Sequence, residues 1–245
     1  MLHQLRARKA EFPEAKLEVA VFDLADLSSV RDWANKALSF GFPVDVLVNN
    51  AGVMACPRLE TKDGFEYQLG VNHLGHFLLT NMLLPLLTSN PESPARIVNV
   101  SSSAHAFGHI KFEDLQSTRG YNRWGAYGQS KLANVLFTYE LARRLGSKAS
   151  VNALHPGVVR SELQRYLVEG LTWQKPLVTA LGTLFGGLAP EEGAKTSVYL
   201  ASSAEIEGVT GKYFDKCKPV RSSAESYDSN VTQRLWDVSA ELVKL

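Results

Sequence analysis

The sequence predicts a single α/β domain, built as a doubly wound parallel sheet with helices on both faces. Apolar runs of strand length alternate with longer runs of helical periodicity, which is typical of parallel strands joined by helices. The strand-length runs are apolar throughout, as expected of strands buried on both faces. Small or polar residues follow these runs, and we expect them to meet at one edge of the sheet. The 245 residues suit one such domain, 1–245.

Five runs of the sequence are predicted to be strands. Each is short and mostly apolar, and each is followed by polar residues, glycine or proline. In chain order they are 17–23 (LEVAVFD), 44–50 (VDVLVNN), 96–102 (RIVNVSS), 149–155 (ASVNALH) and 211–215 (GKYFD).

Four helices are predicted between and after these strands. The first begins at about Val30, with Ser28 or Ser29 as its N-cap, and Gly41 ends it. The others run from about 64 to 87, from just before Tyr127 to near 146, and from about 190 to 203. The segment 158–190 is irregular and apolar.

The composition excludes several classes of protein. A formal net charge of +1 with 45% hydrophobic residues carries no global bias toward nucleic acid. Two cysteines, Cys56 and Cys217, are too few for a disulfide framework and favour a reducing compartment, with the cytoplasm as the default expectation. The first sixteen residues show neither a signal-peptide core nor a membrane span.

Tyr127 and Lys131 lie four residues apart on one predicted helix and therefore share a face. A phenol titrates near pH 10, and a cation about 4 Å away is worth on the order of 4 kcal/mol at an effective dielectric of 20, which is enough to lower its pKa. Tyr127 could then exchange a proton with a carbonyl or alcohol, while a hydroxyl such as Ser102 holds the oxygen. The competing interpretation is an ordinary surface pair.

Five motifs occur in a fixed order and carry a family resemblance. They are NNAG at 49–52, VNHLGHF at 71–77, IVNVSS at 97–102, Tyr-x3-Lys at 127–131 and HPG at 155–157. This set resembles the short-chain dehydrogenase/reductase superfamily, and the resemblance extends from about Leu5 to Leu242. Longer stretches such as NHLGHFLLTN and AYGQSKLANVLF are most similar to its retinol dehydrogenase-like branch and to the related chloroplast-envelope reductases.

The resemblance implies a catalytic set. Tyr127 would be the general acid/base and Ser102 the hydroxyl that orients the carbonyl, with Ser101 and Ser103 as competitors for that position. Lys131 would bind the nicotinamide ribose and lower the pKa of the tyrosine, and Asn72 would support a water in the proton relay.

The resemblance also implies a cofactor, NADP, with NAD as the alternative. Asp23 would contact adenine, three residues would pass beneath the adenosine, and three would lie against the nicotinamide. Tyr127 and Lys131 would contact the cofactor as well. The adenosine residues are Asn50, Ala51 and Gly52, and the nicotinamide residues are Pro156, Gly157 and Val159.

The family places a Gly-x3-Gly-x-Gly turn before the segment where this sequence begins, and the sequence does not contain it there. The expectation is therefore a Rossmann-like sheet that lacks its first βαβ strands, on the order of 40 residues. The run 17–23 would either pair with 44–50 or leave a gap in the sheet. The segment that distinguishes NADP from NAD is missing with them, and the activity of this chain is an open question.

Two other features suggest further interpretations. The histidine pairs His73–His76 and His105–His109 have spacings that could bind a metal, but neither has a third ligand, so we predict no metal. The uncharged stretch 176–189 is too short to cross a bilayer. It suits either a substrate lid, which the resemblance favours for 158–190, or a peripheral membrane contact.

Two classes of function follow. The first is an NAD(P)(H)-dependent oxidoreductase that interconverts an alcohol and an aldehyde or ketone on a small apolar substrate, retinoid-like or another lipid. The second is a non-catalytic relative that acts as a binding or regulatory protein. The sequence does not identify the oligomeric state, and the resemblance leaves the chloroplast and the surface of the endoplasmic reticulum open beside the cytoplasm.

Overall fold

The structure is a computed structural model that describes residues 14–159 and 187–245. In this part of the chain the sheet contains five strands, β1 (Val46–Asn49), β2 (Ala95–Val100), β3 (Ala149–His155), β4 (Lys212–Asp215) and β5 (Lys218–Val220). The strands lie in the order β1-β2-β3-β4-β5, the first four parallel and β5 antiparallel to β4. The predicted parallel α/β sheet is confirmed.

Within the described residues, five longer helices cover the sheet. They are α1 (Leu27–Phe40), α2 (Gly75–Leu87), α3 (Arg123–Leu145), α4 (Pro190–Ser202) and α5 (Ser229–Leu242). The largest cluster of buried apolar side chains joins α1, α2, α3 and α5 to strand residues such as Ile97 and Val151. A second cluster joins α4 to strand residues that face the opposite side of the sheet, among them Val98, Leu154 and Phe214. Helices therefore cover both faces, as strands with no polar face require.

The segment 17–23 is not a strand, so the first strand prediction is wrong. It neither pairs with 44–50 nor stands as a separate strand across a gap in the sheet. None of the described strands pairs with it, and the sheet begins at β1 instead. Val21 is 78% exposed, while Phe22 packs on Trp33 of α1 with ring centroids 4.9 Å apart. A β-branched apolar run has a strand's composition, but it becomes a strand only where a neighbour satisfies its backbone groups.

The starts of two helices also differ from the prediction. The first helix begins at Leu27, because the Asp26 carboxylate accepts hydrogen bonds from the main-chain N–H groups of Ser28 and Ser29. Asp26 is therefore the N-cap, and the prediction of Ser28 or Ser29 as the N-cap is wrong. Gly41 ends the helix as predicted, in the left-handed region at φ 68°.

The predicted helix over 64–87 is three pieces. A short turn, Tyr67–Leu69, capped by Glu66, leads into a π-helix over Gly70–Leu74 and then into α2. Single π turns are typical of functional positions, because they redirect the side chains that they carry. This π turn carries Asn72.

Two elements near the carboxyl terminus were not predicted. Lys216 and Cys217 both have positive φ and turn the chain from β4 into β5. Asp228 caps α5, whose Trp236 packs against Phe77 and Phe137. Most of the proposed lid, 158–190, lies outside the described residues, so only its ends are placed.

We expect stability to fall in acid because of two histidines. Burial lowers the pKa of His73 to about 3 and that of His76 to about 4, so the unfolded chain binds these protons more tightly than the fold does. Their contribution is complete above the unfolded value of about 6.5 and is lost as the pH falls toward 4. Urea unfolding should give a free energy about 4 kcal/mol lower at pH 5 than at pH 7.

Variants of these residues separate their contribution from other acid effects. His73→Asn and His76→Asn should each reduce the difference between pH 7 and pH 5 by about 2 kcal/mol, whatever they do to stability at pH 7. His109→Asn, a change at an exposed histidine, should leave it intact. An unchanged pH dependence in both buried variants would contradict the assignment.

Candidate active site

A turn of three serines follows β2 at the carboxyl edge of the sheet. Ser101 is anchored at both ends: its N–H donates to Leu154 O at 2.8 Å, and its hydroxyl donates to Lys131 O at 2.7 Å. Ser103 is exposed. Ser102 lies between them. Its Oγ accepts from Ala104 N at 3.2 Å, and its side chain lies close enough to Tyr127 to lower the pKa of the phenol. Of the three serines, Ser102 is therefore the one placed beside Tyr127, and its catalytic role stays a prediction.

Tyr127 lies in the first turns of α3 and is only 4% exposed. Its burial raises the pKa of the phenol, and the nearby Ser102 side chain opposes that change only in part. This differs from the sequence-based expectation of a pKa lowered by Lys131. The lysine Nζ lies 5.8 Å from the centroid of the tyrosine ring, and its recorded hydrogen bond goes to Val100 O and not to the phenol.

Lys131 is 3% exposed, and its ammonium donates to the main-chain oxygen of Val100 at 3.1 Å. Burial lowers its pKa to about 8. An ammonium has three donors, and among the described residues this carbonyl is the one hydrogen-bond acceptor recorded for it. A buried cation with donors to spare fits a ligand that brings hydroxyl oxygens.

Asn72 joins the π turn to the loop that follows β1. Its Oδ1 accepts from Val53 N at 2.8 Å, and its Nδ2 donates to Val53 O and to Ser130 Oγ, both at 2.9 Å. A Cβ at Gly52 would lie 2.9 Å from Asn72 Oδ1 and 3.6 Å from Lys131 Nζ. The absence of a side chain at Gly52 therefore lets this loop approach both residues.

Six of the residues expected to contact the cofactor lie at two strand ends. Asn50 and Ala51 are exposed beyond β1, and Gly52 is half-buried beside Lys131. Beyond β3, Pro156, Gly157 and Val159 are half-buried, and Val159 pairs with Leu188 in an isolated parallel bridge. Both strand ends thus border the cluster of Ser102, Tyr127 and Lys131.

Asp23 is separate from this cluster. Its carboxylate accepts from Ala25 N at 2.8 Å, and its main-chain N–H donates to Ser29 Oγ at 3.0 Å, so it lies at the start of α1. The carboxylate is exposed, so an adenine amine could reach it.

Two histidines that the predicted catalytic set does not include lie beside its serines. His155 precedes Pro156, and its Nδ1 accepts from Ser103 N at 3.2 Å. His105, one half of the His105–His109 pair, has its Nδ1 2.7 Å from Ser102 O. The HPG motif and the spacing from the serines were the available signals.

The described residues contain no group of three or more side chains that could hold a metal ion. His73 is bonded to Ser239 Oγ at 2.8 Å, and His76 to Asn72 O at 3.0 Å. In the same part of the chain, no helix is long and apolar enough to cross a membrane.

The site combines a parallel sheet, a serine beside a tyrosine, and a buried lysine. This combination indicates one class of protein, the short-chain dehydrogenases, and the comparison with known proteins agrees with it. The family model described as short chain dehydrogenase matches residues 2–172, and the chain belongs to this family. Human retinol dehydrogenase 14 is 50% identical over 231 residues, which are 94% of this chain and 68% of that protein.

Solved structures agree with the fold. An uncharacterized protein from Mycobacterium paratuberculosis is 37% identical, with a TM-score of 0.75 over 98% of this chain and 81% of that one. The 3-ketoacyl-(acyl-carrier-protein) reductase of Brucella melitensis, solved with NADH, is 26% identical, with a TM-score of 0.57 over 80% of this chain and 74% of that one.

We expect Asn72→Ala to destabilise the fold by about 2–4 kcal/mol, because it leaves the buried N–H and C=O of Val53 unpaired. Asn81→Ala is the matched control, since Asn81 makes one bond within its own helix and is half-buried. It should cost about 1 kcal/mol or less. Equal losses for the two variants in urea unfolding would show that Asn72 does not hold the loop.

Proposed function

We propose that this chain reduces an aldehyde or ketone to an alcohol, and catalyses the reverse oxidation, with Tyr127 as the proton donor and acceptor. The Ser102 side chain, which lies close enough to Tyr127 to lower the pKa of the phenol, together with the buried Lys131 ammonium, carries the proposal. A carbonyl oxygen placed between the two hydroxyls would accept from both. As negative charge develops on that oxygen, these bonds strengthen, which is how such a site lowers the barrier.

The nicotinamide cofactor, when bound, supplies the hydride for reduction and accepts it in oxidation. In reduction the carbonyl carbon gains the hydride, and Tyr127 gives its hydroxyl proton to the carbonyl oxygen. The ammonium of Lys131, near the tyrosine ring, stabilises the phenolate that forms. Asn72 is assigned the support of the water that returns the proton.

Burial raises the pKa of Tyr127 above its ordinary value, so the phenol is protonated at neutral pH. In reduction it must lose this proton to the carbonyl oxygen, and the nearby Lys131 ammonium would offset the cost of forming a buried phenolate.

We assign the cofactor contacts to the strand ends. Lys131 would bind the nicotinamide ribose with its unused donors. Gly52, with Asn50 and Ala51, would pass beneath the adenosine, and Asp23 would bind adenine. Pro156, Gly157 and Val159 would lie against the nicotinamide. NADP is the proposed cofactor, on the family resemblance, and NAD is tested beside it.

The substrate is proposed to be apolar, retinoid-like or another lipid aldehyde. Human retinol dehydrogenase 14 supports this by its name and its 50% identity. Exposed apolar side chains near the site support it as well. Trp124 is 43% exposed and meets Tyr127 edge-on at 6.3 Å, and Leu188 contacts the Gly157 position. These surfaces would be covered by a hydrocarbon chain.

We expect Tyr127→Phe to abolish reduction of retinal with NADPH while leaving cofactor affinity within a few-fold, since the hydroxyl acts in the transition state. Tyr139→Phe, on the same helix with its hydroxyl on Ser222, should retain turnover within a few-fold. The measurements are initial rates, run with NADPH and with NADH, and calorimetric titration of both cofactors.

Three outcomes would count against the proposal. Turnover retained by Tyr127→Phe would remove its assigned role. A lack of reduction by the unaltered protein with any apolar aldehyde would remove the activity and favour a binding function. Tighter binding of NADH than of NADPH would overturn the choice of NADP alone.

A further inference from the structure

We propose that His105 and His155 act together as positioning residues, clamping the peptide bond between Ser102 and Ser103 so that the Ser102 hydroxyl faces Tyr127. This inference rests on the proposed function, and it assigns two histidines that the catalytic set does not include. Both rings contact the same peptide unit from opposite ends. We call this pair the histidine clamp.

The clamp is visible in two hydrogen bonds. His105 Nδ1 lies 2.7 Å from the main-chain oxygen of Ser102, which also accepts the His105 main-chain N–H at 3.1 Å. His155 Nδ1 accepts the main-chain N–H of Ser103 at 3.2 Å. The C=O of Ser102 and the N–H of Ser103 belong to one planar group, so the two bonds fix its orientation. That orientation sets the direction of the Ser102 side chain.

Each ring is itself anchored. His105 Nε2 accepts the main-chain N–H of Ser223 at 3.2 Å, and the ring packs on Tyr213 with centroids 4.6 Å apart. His155 is the last residue of β3, immediately before Pro156 and Gly157. The clamp therefore connects Ser102 to the end of β3 on one side and to the carboxyl-terminal segment on the other.

The bonds require opposite tautomers. His105 must carry its hydrogen on Nδ1, because its Nε2 accepts from Ser223. His155 must carry its hydrogen on Nε2, because its Nδ1 accepts from Ser103. Protonation of either ring would turn an acceptor into a donor facing an N–H group, and that hydrogen bond would be lost. The clamp thus works only while both rings are neutral.

The surroundings favour the neutral forms. Burial lowers the pKa of both histidines, and the hydrogen bond to Ser102 raises that of His105 only in part. For His155, Asp215 raises the pKa in part and His105 lowers it further. Among the described residues, two titratable groups of β4 face the rings: Tyr213 packs on His105, and Asp215 acts on His155. Tyr127 and Tyr139 of α3 interact with Tyr213 behind them.

The first test needs no turnover. Nitrogen NMR of histidine-labelled protein at pH 7 should show a neutral His105 protonated on Nδ1 and a neutral His155 protonated on Nε2. A charged ring, or the opposite tautomer at either position, would overturn the proposal.

The second test is kinetic. His105→Phe keeps a ring of similar size but removes both bonds, and it should lower kcat about 10- to 100-fold with cofactor affinity unchanged, because a displacement of about 1 Å at a catalytic group costs up to about 100-fold. His105→Asn retains a donor at the Nδ1 position and should recover most of that loss. His155→Asn retains an acceptor for Ser103 and should also remain active, unlike His155→Phe.

The third test is the pH profile. The unaltered protein should lose kcat as the pH falls and the rings become protonated. The double variant His105→Asn/His155→Asn cannot titrate at these positions and should lose most of that acid limb. His109→Asn, at an exposed histidine bonded to Glu225, is the control and should keep the limb unchanged.

The outcomes separate this inference from the function on which it rests. Turnover in a folded His105→Phe equal to that of the unaltered protein, while Tyr127→Phe is inactive, would overturn the clamp alone. If the phenylalanine variants do not fold, an unchanged acid limb in the asparagine double variant would overturn it. Asparagine variants as impaired as folded phenylalanine variants would also contradict it, since the retained bond would then be irrelevant.

Discussion

The candidate site depends on one buried cation. The Lys131 ammonium lies beneath the ends of the central strands, with Val100 O as its recorded acceptor and a pKa lowered to about 8 by burial. Removing a charge from water costs several kcal/mol unless partners compensate, so this position constrains everything around it. Gly52 has no side chain where a Cβ would approach Nζ, and Ser101 fixes the main chain of the lysine through its hydroxyl.

A chain of buried amides and hydroxyls holds the lysine at this depth. Asn49 on β1 donates to Asn99 on β2, and Asn99 donates to Thr138 on α3, at 2.8 and 2.9 Å. Thr138 donates in turn to the main chain of Asn134, whose amide shares the Val100 oxygen with Lys131. Buried polar groups tolerate few arrangements, so this chain specifies how α3 sits against the sheet. The helix is buried around its whole circumference from Ala126 to Thr138.

The sequence was sufficient for much of this architecture. Apolar runs with polar ends identified β1 to β4, and the ordered motifs placed Ser102, Tyr127 and Lys131 at one edge before any geometry was known. These signals are local, since a few neighbouring residues are enough to recognise a buried strand or a helical spacing. The end of α1 at Gly41 is a local signal as well. A helix commonly ends at a residue in the left-handed region, which favours glycine, and Gly41 has a φ of 68°.

What the sequence could not supply depends on partners far along the chain. The run 17–23 has a strand's composition, yet strand pairing depends on a neighbour, and it lies unpaired beside α1. The lowered pKa expected for Tyr127 assumed that Lys131 points at the phenol, whereas the ammonium turns to Val100. The roles of His105 and His155 depend on a single peptide bond between Ser102 and Ser103, which no spacing reveals.

The pKa of Lys131 is the most direct test of this account. Carbon NMR of protein labelled at the lysine Cε carbons, with Lys131→Met used to assign the signal, should show it titrating near pH 8 in the free protein. Saturating cofactor should raise that pKa, because ribose hydroxyls that accept from the ammonium favour its charged form. A value at or above the ordinary 10.4 in the free protein, or no change on cofactor binding, would contradict the central position assigned to this buried cation.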